Sequence, residues 1–512
     1  MTPDDRTPVI VGCGEAVDRP AALGQAFDPI GLMALAARRA DKDAGGGLLR
    51  QVDRLDVVNL VSWRYADPPA ELAVRLGIAP RSLSYAPIGG ETPTKLVHEA
   101  ALAIARGEAQ VALIAGGEAQ HSAARAQKEG AELPWSPFAH DAPARVERAT
   151  YLHSLAIALG ASMPVNVYPF YEMASAHAWG QTPTAAQRES AELWARYSAV
   201  AADNPSSWLQ RAFAADDIAR VTPDNRLIAW PYTKLMVANP MVNQGAAVIV
   251  TSLAAAREAG VDPAAMIYPL GGAAADEPRD YLARDGFSAS PAQDAVLAGA
   301  RDLNDGRPFE AIELYSCFPC VPKMARRTLG LGEDVVPTVT GGLTFFGAPL
   351  NDYMLHATAA MVRRLRSGGG AGLLYGQGEF VTKHHALVLS STRPDRPLDQ
   401  DYSVAGDAEQ RRGTVPSTVM PADGAATLET VTILYRRDGT VDHGVVILRT
   451  EEGARTMAAV APDDRATLAA IVDRDRYPVG RRGTIAVGDM PRWTIGQDPS
   501  QEHLFSVSIR VS

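Results

Sequence analysis

Two side chains stand where catalytic groups are often placed, directly after a short apolar run or a glycine turn. Tyr315 ends the run "FEAIELY". A tyrosine at a strand-to-helix turn is able to act as a general acid or base if its surroundings tune its pKa, which is about 10 in a free side chain, and otherwise only fills space. Glu91 follows two glycines at a predicted helix start, where the helix dipole stabilises a carboxylate. Glu91 is therefore a base, a substrate contact or a group that only interacts with the helix end.

Histidine and cysteine side chains form a second set of candidates. His384 lies in "TKHHALVLS" after a predicted turn, which allows either a direct catalytic role or a hydrogen bond beneath a pocket. Cys317 and Cys320 stand in "CFPC", but a redox or metal site of this kind needs a partner pair, and the chain has only three cysteines. We predict that both are small apolar residues at a helix start and that the chain holds no metal.

The helix after Glu91 must position these groups. Thr92 is its expected N-cap and Gly107 its expected stop. Apolar residues recur between them at helical spacing, at Leu96, Val97, Ala100, Ala101 and Ile104. Gly89 and Gly90 leave room for a ligand to approach the backbone, whose N–H groups are able to hold a carbonyl oxygen.

Strand-like and helical segments alternate along most of the chain, which favours a layered α/β architecture of two similar halves. We place the first half at 1–260, with a loop domain at about 120–240, and the second half at 261–392. Residues 393–415 are rich in proline, glycine and charge and are predicted to be a linker. Residues 416–512 contain five short strand-like runs, among them "GRRGTIAVG" and "LFSVSIRV", which predict a small β-barrel of the OB type.

Composition argues against several functional classes. The chain has 512 residues, a net charge of −10 and no run of Lys and Arg that would follow a phosphate backbone, so we expect no nucleic-acid partner. It has no uninterrupted apolar run of about 18 residues, no leader-like start and few cysteines, so we expect a cytoplasmic protein without a membrane span. A P-loop or a dinucleotide fingerprint in strand-to-helix context is not found in the sequence.

Eight segments in order resemble the thiolase superfamily over about residues 1–392. The closest likeness is to the type 1 thiolase-like proteins, which look like a sterol-carrier-type thiolase with an added C-terminal β domain. The segments are "TPVIVG", "GGETPTKLVHEAA", "ELWARYSAVAADNPSSW", "PDNRLIAWPYTKLM", "NQGAA", "ELYSCFP", "GGLTFFGAP" and "TKHHALVLS". The resemblance implies a thiolase fold of two similar α/β halves with a covering loop domain, followed by the barrel.

An active thiolase of this kind uses four groups. A cysteine nucleophile opens a buried helix, one histidine activates it, another histidine helps to form an oxyanion hole, and a second cysteine moves the α-proton of the substrate. The resemblance places these four positions on Gly90 (or Gly89 if the alignment slips by one), Tyr315, Ala348 and a position near Tyr375. It therefore implies a chain without the usual thiol and imidazole groups.

The resemblance implies a protein of the acetyl-CoA acetyltransferase type that binds CoA or an acyl-CoA, with no covalently bound cofactor and a role in lipid metabolism. The substrate contacts would be Gly89, Glu91, Gly347 and Gly376, and the three glycines would leave room for the thioester. Claisen condensation and thiolysis are expected to be absent or very low, because no acyl-cysteine forms.

Two alternative functions stay open. One is an aldol or retro-aldol lyase that acts on an acyl-CoA with Tyr315 as acid and base. The other is a binding protein without enzymatic activity. We expect a monomer or a homodimer, since thiolases commonly pair through their cores and the added domain either covers that face or leaves it free.

Overall fold

A computed structural model of the chain describes residues 4–142 and 148–496. The first half contains β1 (Pro8–Val17), α1 (Pro29–Asp43), β2 (Arg54–Val57), α2 (Pro68–Leu76), β3 (Ser82–Tyr85), α3 (Thr92–Arg106), β4 (Val111–Ala119) and α4 (Gln120–Glu129). The loop region then adds α5 (Ser154–Ala158), α6 (Pro164–Ala178), α7 (Pro183–Asp203), α8 (Ala215–Ala219), β5 (Leu227–Ala229) and β6 (Tyr232–Thr233), before β7 (Asn243–Ser252) and α9 (Leu253–Glu258) complete the half.

The second half and the barrel follow in the same way. The second half contains β8 (Tyr268–Asp276), α10 (Pro291–Leu303), β9 (Ala311–Leu314), α11 (Cys320–Leu329), α12 (Gly342–Phe345), α13 (Tyr353–Gly368), β10 (Ala371–Gly378) and β11 (Lys383–Ser390). The C-terminal part contains α14 (Ala405–Arg411), β12 (Gly424–Tyr435), β13 (Val441–Thr450), β14 (Arg455–Val460), α15 (Arg465–Ile471), β15 (Arg482–Ala486) and β16 (Arg492–Ile495). No helix in the described ranges is both long and apolar enough to cross a membrane.

The two halves repeat one strand pattern. The first sheet has the order β1-β7-β4-β2-β3 and the second has the order β8-β11-β10-β9. In both sheets the second strand runs antiparallel to its two neighbours, and the next pair is parallel. Beyond β9 the Leu314 N–H donates to the Pro337 carbonyl oxygen, so the segment after α11 is bonded to this edge of the four-stranded sheet. The predicted duplication is confirmed.

Two helices, α3 and α13, pack between the sheets, while α1 covers the outer face of the first sheet and α10 that of the second.

The sequence places α3 correctly but its cap incorrectly. Thr92 is the first helical residue, and Glu91 is the N-cap without a side-chain capping bond. The Thr92 hydroxyl instead donates to the Pro87 carbonyl oxygen at 3.3 Å, and Pro93 is the second helical residue.

The C-terminal strands close into a barrel in the order β12-β13-β14-β16-β15, because β12 pairs with both β13 and β15. The predicted five-stranded barrel is confirmed. Its fifth described strand is β16, whereas the expected strand "LFSVSIRV" lies outside the described residues. The predicted linker contains α14, which packs against α10.

The barrel is joined to the loop region through a continuous sheet. The hairpin β5–β6 adds to β12, where the Trp230 N–H donates to the Ile433 carbonyl oxygen at 2.9 Å. The Thr430 hydroxyl also donates to the Phe170 carbonyl oxygen at 2.7 Å. The fully buried Arg455 pairs with Glu429 at 2.6 Å and donates to backbone carbonyl oxygens of the second half. The barrel is therefore bonded to both parts.

Replacing Arg455 with Ala should lower the free energy of unfolding by about 3 kcal/mol or more, because Glu429 and several carbonyl groups lose a buried partner. Urea denaturation followed by tryptophan fluorescence measures the change. Arg482→Ala is the matched control, since Arg482 pairs with Glu451 at the exposed surface and such pairs contribute little. Equal effects of the two substitutions would contradict the role of Arg455.

Candidate functional site

The space beside Gly90 is filled by Tyr315. A Cβ atom built on Gly90 would lie 2.4 Å from the Tyr315 hydroxyl oxygen and 2.4 Å from the Gln377 carbonyl oxygen. The φ angle of Gly90 lies outside the left-handed region, so the backbone itself tolerates a side chain there. Glycine is therefore required at this position because Tyr315 and the Gln377 carbonyl group occupy the space that a side chain would need.

Tyr315 is buried, and its phenol stays protonated. Its N–H donates to the Tyr375 carbonyl oxygen at 3.0 Å, which continues the contact of β9 with β10. Its ring meets the Tyr353 ring edge to face at 5.9 Å. Burial raises the pKa of Tyr315 well above its usual range, and the neighbouring Cys317 and Glu91 raise it further. The phenol stays protonated, which suits hydrogen-bond donation and opposes a role as a base.

A polar cluster that sequence reasoning missed lies next to Tyr315. The Gln377 side-chain amide donates to the Tyr168 hydroxyl at 2.6 Å and lies 3.4 Å from the Cys317 sulfur. The Tyr168 hydroxyl in turn donates to the Glu379 carbonyl oxygen at 2.7 Å. Burial raises the pKa of Cys317 to about 12, so this cysteine remains a thiol. The only sequence signal for Gln377 is a polar residue between two glycines in a buried strand.

Glu91 lies buried in a hollow lined by three glycines. Cβ atoms built on Gly89 and Gly378 would lie 2.4 Å and 2.0 Å from carboxylate oxygens of Glu91, and one built on Gly376 would lie 2.9 Å from its Cα atom. Oε2 of Glu91 has no hydrogen-bond partner among the described residues. Burial raises the pKa of Glu91 to about 7, although the Lys383 charge opposes the shift. We call this space the Glu91 hollow.

The turn between β10 and β11 closes the Glu91 hollow. The Lys383 ammonium donates to the Ile88 carbonyl oxygen at 3.1 Å and lies 3.2 Å from a carboxylate oxygen of Glu379. Glu379 and Val381 adopt φ angles of 56° and 60°, which L-residues rarely occupy. The Tyr171 hydroxyl holds the turn by donating to the Phe380 carbonyl oxygen at 2.6 Å. The loop region thus fixes a strained turn over the site.

Tyr375 and His384 lie on the opposite face of the second sheet. The Tyr375 hydroxyl accepts from the Gln293 side-chain amide of α10 at 2.9 Å and lies 2.7 Å from Nδ1 of His384. Because side chains alternate along a strand, Gly376 faces α3 and Tyr375 does not. The sequence places the proton-shuttling position near Tyr375, and the neighbouring Gly376 is the residue that lies against the start of α3. Burial lowers the pKa of His384 to about 4, which keeps it neutral.

The turn after α12 is tied to the start of α3. The Asn351 side-chain oxygen accepts from the Gly89 N–H at 3.1 Å, and its amide donates to the Asn59 carbonyl oxygen at 3.1 Å. The Ala348 N–H donates to the Asn239 carbonyl oxygen at 2.9 Å. Gly347 has a φ angle of 117°. Ala348 has a buried methyl group at the position where the resemblance places the oxyanion histidine of a thiolase. Asn351 fixes the backbone nearby.

The loop region contains a groove of about 920 Å³, here called the loop-region groove. Its inner end is formed by Ala238 and Asn239, whose N–H groups donate to the Cys317 and Leu343 carbonyl oxygens. Basic side chains lie along it, namely Arg211, Arg220, Arg226 and Lys234, together with Asp217 and Asp224. Apolar side chains complete the walls, among them Trp208, Phe213, Ile228, Leu235 and Met241. The groove therefore combines cationic and apolar surface and ends beside the backbone of Cys317.

Among residues 4–142 and 148–496, no group of three or more His, Cys, Asp and Glu side chains is arranged to hold a metal ion. Cys317 and Cys320 are both buried and unbridged, and Cys320 is the first residue of α11.

The family described as "thiolase-like protein type 1 additional C-terminal domain" matches residues 408–489. A solved structure of the monomeric SCP2-thiolase-like protein type 1 from Mycobacterium smegmatis is 28% identical, covers 96% of this chain and 100% of its own, and superposes with a TM-score of 0.80. This chain has a thiolase fold followed by the additional C-terminal domain of the type 1 thiolase-like proteins. The resemblance inferred from the sequence is confirmed.

More distant structures share the fold over about three quarters of the chain. The Ltp2–ChsH2(DUF35) aldolase is 18% identical with a TM-score of 0.58, over 77% of this chain and 100% of that chain. Human mitochondrial 3-ketoacyl-CoA thiolase in complex with CoA is 17% identical with a TM-score of 0.54, over 76% and 99%. No curated protein matches the chain in sequence. These two neighbours support the thiolase fold alone.

Gly90→Ala should lower the free energy of unfolding by about 1–3 kcal/mol, because the new methyl group collides with the Tyr315 hydroxyl and the Gln377 carbonyl oxygen. Gly90→Cys should meet the same obstruction. Combined with Tyr315→Leu, Gly90→Ala should cost less than the sum of the single changes, as urea denaturation of the four proteins will measure. Gly24→Ala is the control, since nothing lies within 4 Å of that added methyl. Strict additivity would contradict the contact.

Glu91→Gln should stabilise the protein increasingly as pH rises from about 4.5 to about 7. The pKa of Glu91 is about 7 in the folded state against 4.5 as its ordinary value, so the folded state holds the proton more tightly and wild type loses stability as that proton leaves. Urea midpoints between pH 4.5 and 8.5 measure the difference. Glu99→Gln controls for the loss of one negative charge from α3. A difference between wild type and Glu91→Gln that stays constant with pH would contradict the raised pKa.

Proposed function

We propose that this protein binds a CoA thioester and handles it without forming an acyl-cysteine. The observation that carries the proposal is the Tyr315 hydroxyl, which occupies the space into which a side chain at Gly90 would project. Attack on a thioester by a residue at this helix start requires a nucleophilic side chain, and glycine has none. Cys317, the nearest thiol to this turn in the polar cluster, is held protonated by a pKa of about 12. The chemistry left to the site forms no covalent acyl–enzyme intermediate.

The loop-region groove supports binding of the CoA moiety. CoA carries several phosphate charges and a long, partly apolar pantetheine arm. Arg211, Arg220, Arg226 and Lys234 supply cationic groups for the phosphates, and the apolar walls suit the arm. The volume of the groove falls within the range of about 300–1,000 Å³ that is usual for small-molecule sites. Ala238, which lines the groove, bonds to the Cys317 backbone two residues from Tyr315, and we place the thioester end of the ligand there.

An aldol or retro-aldol reaction on an acyl-CoA is the second candidate. Such a reaction needs hydrogen-bond donors for an enolate oxygen and a group that exchanges a proton with the substrate, and it needs no nucleophile. The protonated Tyr315 hydroxyl and the N–H groups that open α3 are suitable donors. The specific observation in favour is the buried Glu91 carboxylate, whose pKa of about 7 suits proton transfer at neutral pH. The thiolase-fold Ltp2–ChsH2(DUF35) complex is itself described as an aldolase.

Titration calorimetry with acetyl-CoA should detect binding to the wild-type protein. Reversing two groove charges, in Arg226→Glu with Lys234→Glu, should weaken the affinity by about 10-fold or more, because each position turns from attracting to repelling phosphate. Lys128→Glu, an exposed position of α4 outside the groove, should leave affinity unchanged.

The same preparations should show negligible thiolysis of acetoacetyl-CoA by CoA. Turnover on the order of 10 per second, as for a typical enzyme, would refute the absence of an acyl-cysteine route. Unchanged affinity after the double reversal would instead refute the assignment of the groove. Tight binding without turnover of any acyl-CoA would favour a binding protein over the aldol candidate.

A further inference from the structure

The Glu91 hollow has the features of a proton-transfer site built into the start of α3. The side chain is 8% exposed, and its oxygen Oε2 has no hydrogen-bond partner among the described residues. Gly89, Gly376 and Gly378 line the hollow, and any larger residue at the first or last of these positions would overlap the carboxylate. The hollow therefore has room for this carboxylate because three neighbouring positions carry no side chain.

Keeping this carboxylate is costly for the fold. A buried polar atom without a hydrogen-bond partner destabilises the folded state, and more so when it is charged. The groups whose charges act on Glu91 do not remove that cost, since Lys383 favours ionisation while Asp276 and Glu379 oppose it. A residue that destabilises the folded state in a site of this kind is typical of function.

The other candidate bases are less suitable. Tyr315 has a pKa far above neutral, and the Lys383 ammonium is already held by the Ile88 carbonyl oxygen and Glu379. His384 lies across the sheet from α3, where it contacts Tyr375. Among these residues, only Glu91 combines proximity to Gly90 with a free acceptor oxygen.

We propose that Glu91 accepts and returns the α-proton of the bound CoA thioester, an inference that rests on the proposed function. In this step the Cα–H bond of the acyl group breaks and an O–H bond forms on the Glu91 carboxylate. The electron pair of the broken bond moves into the thioester, which becomes an enolate. No electrons leave the pair of reactants, and the reverse step restores both.

The Tyr315 hydroxyl lies beside Gly90, and together with N–H groups of the α3 turn it would donate to the enolate oxygen. Gly376 and Gly378 leave the carboxylate free of side chains along β10. In this arrangement Tyr315 and the turn N–H groups would supply the donors, and Glu91 would supply the acceptor. Glu91 would then be the general acid–base residue that forms the enolate, and an aldol-type reaction uses such an enolate.

The test is the exchange of the acetyl protons of acetyl-CoA for deuterium in D₂O, followed by ¹H NMR of the acetyl methyl signal. Wild type should accelerate exchange over buffer, with a rate that rises with pH through about 7. Glu91→Gln should reduce the rate by about 100-fold or more, while acetyl-CoA affinity by calorimetry stays within a small factor. Glu99→Gln, on the same helix, should exchange like wild type.

The outcomes separate the two levels of the proposal. Wild-type exchange rates in Glu91→Gln would overturn the role of Glu91, as would exchange that is abolished by Tyr315→Phe and retained in Glu91→Gln. Binding of acetyl-CoA without any exchange by wild type would also overturn it, while leaving CoA binding intact. Absence of binding in calorimetry would overturn the proposed function and this inference with it.

Discussion

The burial of α3 between the two sheets constrains every other part of the site. Eleven of its fifteen residues are buried, so its first turn cannot rely on bulk water to satisfy its free N–H groups. Groups of the neighbouring elements must come close instead, and the glycines before α3 leave space for Tyr315 and the Glu91 carboxylate. The Asn351 side chain, donated by the second half, fixes the Gly89 N–H. The start of α3 is thus the point at which both halves of the fold meet.

Close packing then couples the residues on either side of this point. A protein interior has almost no spare volume, so a large side chain at one position requires a small one opposite. Tyr315 lies against Gly90, and Glu91 lies against Gly376 and Gly378. The Tyr315 hydroxyl thus lies beside Gly90, and the Glu91 carboxylate lies in the hollow at the next position of the chain. A donor and an acceptor at one turn are what acid–base chemistry without an acyl–enzyme requires.

The barrel contributes to the same arrangement from a distance. Its strand β12 pairs with β5 of the hairpin β5–β6. Arg226 and Lys234, which directly flank that hairpin, line the loop-region groove. Arg455 anchors the barrel to backbone carbonyl groups of the second half. The additional domain is therefore part of the framework that shapes one wall of the groove.

The sequence alone determined the order of elements, the duplication, the glycine turn before α3 and the five-stranded barrel, because each rests on local periodicity and turn residues. It also placed Tyr315 at the end of β9 and Glu91 at the start of a helix. It did not show that the segment around α14 packs on the second half. The proline, glycine and charged residues of that segment predicted a linker. Short-range composition cannot reveal such long-range contacts.

Only the tertiary structure decided which side chains share the site. A shift of one residue along a strand moves every side chain to the other face, and motif likeness does not fix that register. Tyr375 and His384 therefore turned out to face α10, and Gly376 to face α3. Gln377, Tyr168 and the loop-region groove come from segments far apart in the chain, so no local pattern joins them. The raised pKa of Glu91 likewise arises from burial, which depends on three-dimensional packing and on no feature of the local sequence.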